Sequence, residues 1–83
     1  MTTVKLFATL IELTGRRRLE VEGIETVGEL LDELERMFPG FKRELEKGFM
    51  ILVNGKNIEH LNGLDTPLKE DDTVSIFPPA GGG

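Results

Sequence analysis

The 83-residue chain has no cysteine and only one histidine, His60. Without thiols it can form no disulfide, zinc ribbon or thiol nucleophile, so any sulfur chemistry must use sulfur brought from elsewhere. His60 has no cysteine near it and no second histidine, and it reads as a solvated loop residue, so no metal site is expected. No run approaches the about 18 apolar residues needed to span a bilayer. The N-terminus has no signal-peptide pattern, and the expected compartment is the cytoplasm. The formal net charge is −5. That disfavours nucleic acid, whose binding needs clustered Lys and Arg, and suits a partner with a basic docking face. Recognisable catalytic patterns are missing as well. Gly48 to Lys56 contains Gly-Lys without the spacing of a phosphate loop, and Glu70-Asp71-Asp72 lacks an EF-hand pattern and reads as a solvated turn. Thr9 and Thr14 have no base beside them in sequence, and Arg16-Arg17-Arg18 reads as soluble surface beside a turn. The chain is not expected to carry catalytic residues of its own.

What is present fits one small soluble domain, with 39% hydrophobic residues and alternating apolar patterns. Thr3 to Leu10 alternates, with Val4, Leu6 and Ala8 on one side and Phe7 out of place on the polar side. The apolar stretch runs on to Leu13 and stops at Thr14-Gly15. Leu19 to Glu22 alternates again, a hairpin partner for the first strand. Thr26-Val27-Gly28-Glu29 reads as a capping box. Val27, Leu30, Leu31, Leu34, Met37 and Phe38 then form one helical stripe ended by Pro39-Gly40. Phe41 to Lys47 reads as a loop or short helical turn with Phe41 and Leu45 as anchors. Phe49 to Val53 is a strand, and Asn54-Gly55 signals a two-residue hairpin into Lys56–Ile58. Glu59 to Asp65 is loop-like, and Thr73 to Phe77 is the last strand. One helix across one face of a mixed sheet of four to five strands is an α+β solution. The element order is that of the β-grasp, or ubiquitin-like, fold. The domain is expected over 1–77, with a tail over 78–83.

The helix can cover only one sheet face. Phe7 and Phe77 fall on the other, and Leu52 joins them if its strand lies alongside. An exposed aromatic patch of this kind marks a docking surface, unless one ring tucks under a loop.

The tail reads Phe77-Pro78-Pro79-Ala80-Gly81-Gly82-Gly83. The prolines fix φ and favour an extended exit, while the glycines carry no Cβ. Fully extended, 78–83 reaches about 20 Å. Such an arm could thread a terminal carboxylate through a slot too narrow for side chains. The plainer reading is a frayed terminus or a glycine remnant of cloning.

Val4-Lys5-Leu6-Phe7-Ala8, Thr26-Val27-Gly28-Glu29-Leu30-Leu31, Leu52-Val53-Asn54-Gly55, the Asp65–Val74 stretch and the Phe77-Pro78-Pro79 tail with Gly82-Gly83 together resemble a known family. This is the small subunit of molybdopterin synthase, the MoaD branch of the MoaD/ThiS sulfur carriers. The resemblance spans essentially the whole chain. Asp71 departs from it where the family often has a turn glycine, and Gly81 adds a third glycine. The resemblance implies that an E1-like enzyme uses ATP to adenylate the Gly83 carboxylate, and that a sulfurtransferase or desulfurase supplies the sulfur of a thiocarboxylate. The arm, with Pro78, Pro79, Gly81 and Gly82, would enter the large synthase subunit and give sulfur to cyclic pyranopterin monophosphate. No cofactor would be bound by this chain. A thiazole-synthesis carrier, a ubiquitin-like modifier joined to lysines through Gly83, and a binding module with an inert tail are the alternatives.

Overall fold

The structure is a computed structural model and describes residues 1–79. Strand β1 (Thr2–Leu6) leads into helix α1 (Thr9–Thr14) and strand β2 (Arg18–Val21). Helix α2 (Val27–Met37), helix α3 (Phe41–Leu45) and strands β3 (Met50–Val53) and β4 (Lys56–Asn57) follow. Two 3₁₀ turns, Ile58–His60 and Gly63–Asp65, precede strand β5 (Thr73–Phe77). The sheet order is β2-β1-β5-β3-β4. The central pair, β1 and β5, runs parallel with Val4 beside Val74 and Leu6 beside Ile76, and the other pairings are antiparallel. This is the β-grasp architecture, a mixed five-stranded sheet with a long helix on one face.

Period-two alternation sends Val4, Leu6, Val74 and Ile76 into the core, where each is at most 2% exposed. They meet Val27, Leu30, Leu31 and Leu34 of α2, all buried. The Thr26 cap forms at its N-terminus as expected, while Glu29 reaches back one residue beyond the cap. The Thr26 hydroxyl accepts from the Glu29 N–H at 3.1 Å, and the Glu29 carboxylate accepts from the Glu25 N–H at 2.9 Å. The 66–68 turn is tied to the same end: Val27 N–H donates to the Thr66 carbonyl and Leu68 N–H to the Glu25 carbonyl.

Two expectations are corrected and one open reading is decided. The first strand ends at Leu6, and the apolar run after it is helix α1. Leu10 is fully buried and Ile11 packs against the core, so this run obeys helical spacing once Ala8, at φ 56°, has turned the chain. The β1–β2 pairing stands, but a helix rather than a tight turn joins the two strands. Met37 leaves the α2 stripe and is 39% exposed, because the helix ends there and Phe38 caps it. Of the two readings open for 41–47, the short helical one holds, as helix α3 over Phe41–Leu45. Glu35 holds its start by accepting from the Gly40 and Lys42 N–H groups at 2.9 and 2.8 Å. Those two bonds hold the Glu35 carboxyl below its usual pKa.

The Asn54-Gly55 hairpin turn has positive φ at both positions, 51° and 85°. The Asn54 side chain also bridges to the sheet centre, accepting from Thr73 N–H and donating to Asp72, both at 2.9 Å. Asp72 further accepts from the Lys69 N–H at 2.7 Å. That backbone bond, aided by the Asn54 amide, depresses the Asp72 pKa.

Phe41 is fully buried where α3 meets α2, so Phe41→Ala should lower stability by about 3–5 kcal/mol in urea unfolding. The unfolded chain protonates Asp72 before the folded one does. Its contribution is therefore complete above about pH 4 and fades as pH falls towards the depressed folded value. Asp72→Asn should accordingly be less stable than the parent at neutral pH, with the gap in denaturant midpoint closing in acid.

Candidate functional site

On the sheet face away from α2, Phe7, Leu52 and Phe77 are half-buried rather than fully exposed. Parallel pairing of Leu6 with Ile76 carries Phe7 alongside Phe77 one residue later. Their rings stack with centroids 4.3 Å apart and planes at 29°. Antiparallel pairing of β3 with β5 sets Met50 opposite Phe77 and Leu52 opposite Ser75. Leu52 is half-buried and Met50 is 37% exposed. The structure thus brings Phe7, Phe77 and Leu52 onto one face and adds Met50. Alternation alone would have revealed Met50, because any strand that turns Leu52 outward turns Met50 outward too.

The tail leaves from the end of β5, directly beside this patch. Pro78 and Pro79 are half-buried and line a surface groove of about 560 Å³ with Ala8, Thr9, Glu44, Lys47 and Phe49. A Cβ added at Gly48 would lie 3.6 Å from the Pro79 side chain, and Gly48 itself has φ +108°. The groove's far wall is fastened by the Thr9 hydroxyl, which donates to Glu44 at 2.5 Å, and by Lys47, which pairs with Glu44 at 3.0 Å. These two contacts, the hydroxyl first, pull the Glu44 pKa down and keep it ionised. Gly81, Gly82 and Gly83 lie outside the described residues. His60 is exposed in the first 3₁₀ turn, away from this patch. Among the described residues no helix is long and apolar enough to cross a membrane.

A sheet face carrying stacked aromatics, beside the end of its central strand, is a candidate docking surface. Comparison with known proteins places the chain in a family. The model of the ThiS family matches residues 4–83. The chain belongs to the ThiS family. It is 36% identical to small archaeal modifier protein 3 of Haloferax volcanii, with 96% of each chain covered. The solution structure of small archaeal modifier protein 1 from Methanosarcina acetivorans superposes with a TM-score of 0.86 at 40% identity, covering 99% of this chain and 95% of that one. A chain in the Amycolatopsis orientalis BexX/CysO complex gives a TM-score of 0.86 at 30% identity over the whole of both chains. The protein is a ThiS-family, ubiquitin-like domain of the carrier and modifier kind.

Stacking makes Phe7 and Phe77 energetically interdependent. A double-mutant cycle of Phe7→Ala and Phe77→Ala should show a coupling of about 0.5–1.5 kcal/mol in unfolding free energy. Met50→Ala, at an exposed position, should change stability by less than about 1 kcal/mol in the same measurement.

Proposed function

We propose that this ThiS-family chain is a sulfur carrier whose reactive group is the α-carboxylate of Gly83. The observation that carries the reading is a family match that runs through Gly83 on a fold whose central strand ends at the tail. A carboxylate is ionised at neutral pH and is a poor electrophile. An E1-like enzyme overcomes this by joining the carboxylate to the AMP moiety of ATP, releasing pyrophosphate. The outer sulfur of a persulfide on a sulfurtransferase or desulfurase then attacks the acyl carbon and expels AMP, and a thiol reductant cleaves the S–S bond of the resulting acyl disulfide to leave the thiocarboxylate. Phe7, Phe77, Leu52 and Met50 supply the apolar pad on which a partner docks, and Pro78 and Pro79 aim the arm. Glycine at 81–83 keeps the arm narrow enough for the slots of the activating enzyme and the sulfur acceptor.

The acceptor we assign is cyclic pyranopterin monophosphate, with this chain as the small, sulfur-donating subunit of molybdopterin synthase. Support comes from the resemblance of its segments to that subunit, the Pro-Pro lead-in included. A second reading makes the chain a protein modifier that forms an isopeptide with lysines. It is favoured by the 36% and 40% identities to the two small archaeal modifier proteins.

Incubation with ATP, the adenylating enzyme and a sulfur donor should raise the intact mass by about 16 Da, the exchange of oxygen for sulfur at the terminus. The loaded chain with the large subunit should then yield molybdopterin. Gly82→Ala and Gly83→Ala should cripple that transfer while leaving the thermal midpoint unchanged. An unchanged mass, or normal transfer by both variants, refutes the carrier reading. Covalent ladders on a denaturing immunoblot, lost in the Gly83→Ala variant, would instead support the modifier.

A further inference from the structure

The β1–β2 register sets Lys5 directly opposite Arg18 on the open face. Like charges facing each other across antiparallel strands destabilise a sheet. Neither residue is relieved by a partner: among the described residues the ion pairs are Arg36–Glu33, Lys42–Asp32 and Lys47–Glu44. Glu20, the next residue of β2 on this face, lies opposite Thr3 and makes no ion pair with either cation. Arg16 and Arg17 follow on the same corner, so four of the chain's ten Lys and Arg residues gather there although the whole chain is at −5. The cluster is continuous with the aromatic pad. Lys5, Arg17 and Arg18 line one groove together with Phe7, Ala8 and Ile11. Across the sheet, the open face therefore changes from basic at β2 and β1 to apolar at β5 and β3.

We infer that Lys5, Arg17 and Arg18 are the basic margin of the docking face, and that they receive a carboxylate-rich strip of the adenylating enzyme. The inference rests on the proposed function, because it takes that enzyme to be the protein seated on Phe7 and Phe77. Charge complementarity argues for the occupant. On a chain of net charge −5, this group of neighbouring cations without ion-pair partners gives an acidic strip of the partner a favourable landing point, so the corner steers and orients the encounter. An RNA strand fits less well. Its affinity comes from many phosphate contacts, and the remaining charge of this chain repels it. The apolar pad next to the margin needs an apolar surface to cover it.

ATP–pyrophosphate exchange by the E1-like enzyme, with the full chain as variable substrate, tests this. The parent KM should rise as NaCl goes from about 0.05 to about 0.5 M, because screening weakens rim charges. K5E/R18E keeps a like-charged cross-strand pair of the opposite sign. It should raise KM about tenfold or more at low salt, flatten the salt response and retain kcat at saturation. K5E alone converts the repulsive pair into an attractive one. It should raise Tm by about 1–5 °C while still raising KM, a combination that a purely structural role would not produce. Parent-like KM and salt response in K5E/R18E would overturn the basic margin and leave the carrier reading standing. A gel shift of labelled RNA by the parent, lost in K5E/R18E with exchange unaffected, would overturn it in favour of RNA. No exchange with the parent chain would remove the carrier reading and this inference together.

Discussion

The parallel pairing of β1 with β5 is the constraint on which the rest of the molecule depends. It joins residues near the two ends of the chain, with Val4 beside Val74 and Leu6 beside Ile76, at the centre of the sheet. Parallel neighbours need a long connection between them. Here that connection is nearly the whole domain: β2 folds back on one side, α2 crosses the face, and β3 and β4 fill the other side. The same register decides two further things. It turns the four central apolar side chains into the helix-covered core, and it stacks Phe7 on Phe77 where the strands run out.

A domain of this size buries a limited share of its surface, and one sheet face stays open. The two faces carry different demands. The covered face is uniformly apolar and holds the fold. The open face combines an aromatic stack, an exposed methionine and a like-charged strand pair, none of which is the best choice for an isolated domain. Such local conflicts are expected at functional surfaces. They fit a surface that is completed by a partner.

The tail's exit is built as carefully as the core. Pro79 rests against Gly48, and the groove on that side is fastened through Thr9, Glu44 and Lys47. Pro78 and Pro79 thus line a groove shared with Thr9, Glu44 and Lys47 at the helix α3 corner. The aromatic pad and the tail root lie side by side at the end of β5.

Much of the fold was legible because the signals were local. Thr26 and Glu29 announced the start of α2, Asn54-Gly55 announced a hairpin, and alternation in 4–6 and 74–76 named the core strands and put Phe7 and Phe77 on the other face. These follow from capping, turn and pleat geometry within a few residues of chain. The apolar run 10–13 did not declare itself. Short apolar runs fit a strand or a helix equally, and only the turn at Ala8 and the burial of Leu10 against the core decided for α1. Phe41 to Leu45 was open for the same reason, since its helix is held by the distant carboxylate of Glu35. The sequence by itself determined that Val4, Leu6, Val74 and Ile76 face the core, where α2 begins and that two prolines, an alanine and three glycines follow the last strand. Only the tertiary structure decided that Lys5 faces Arg18 and that Pro79 comes close to Gly48. Each of those depends on register between strands or on contact between residues far apart in the chain, and side-chain pattern carries no such information.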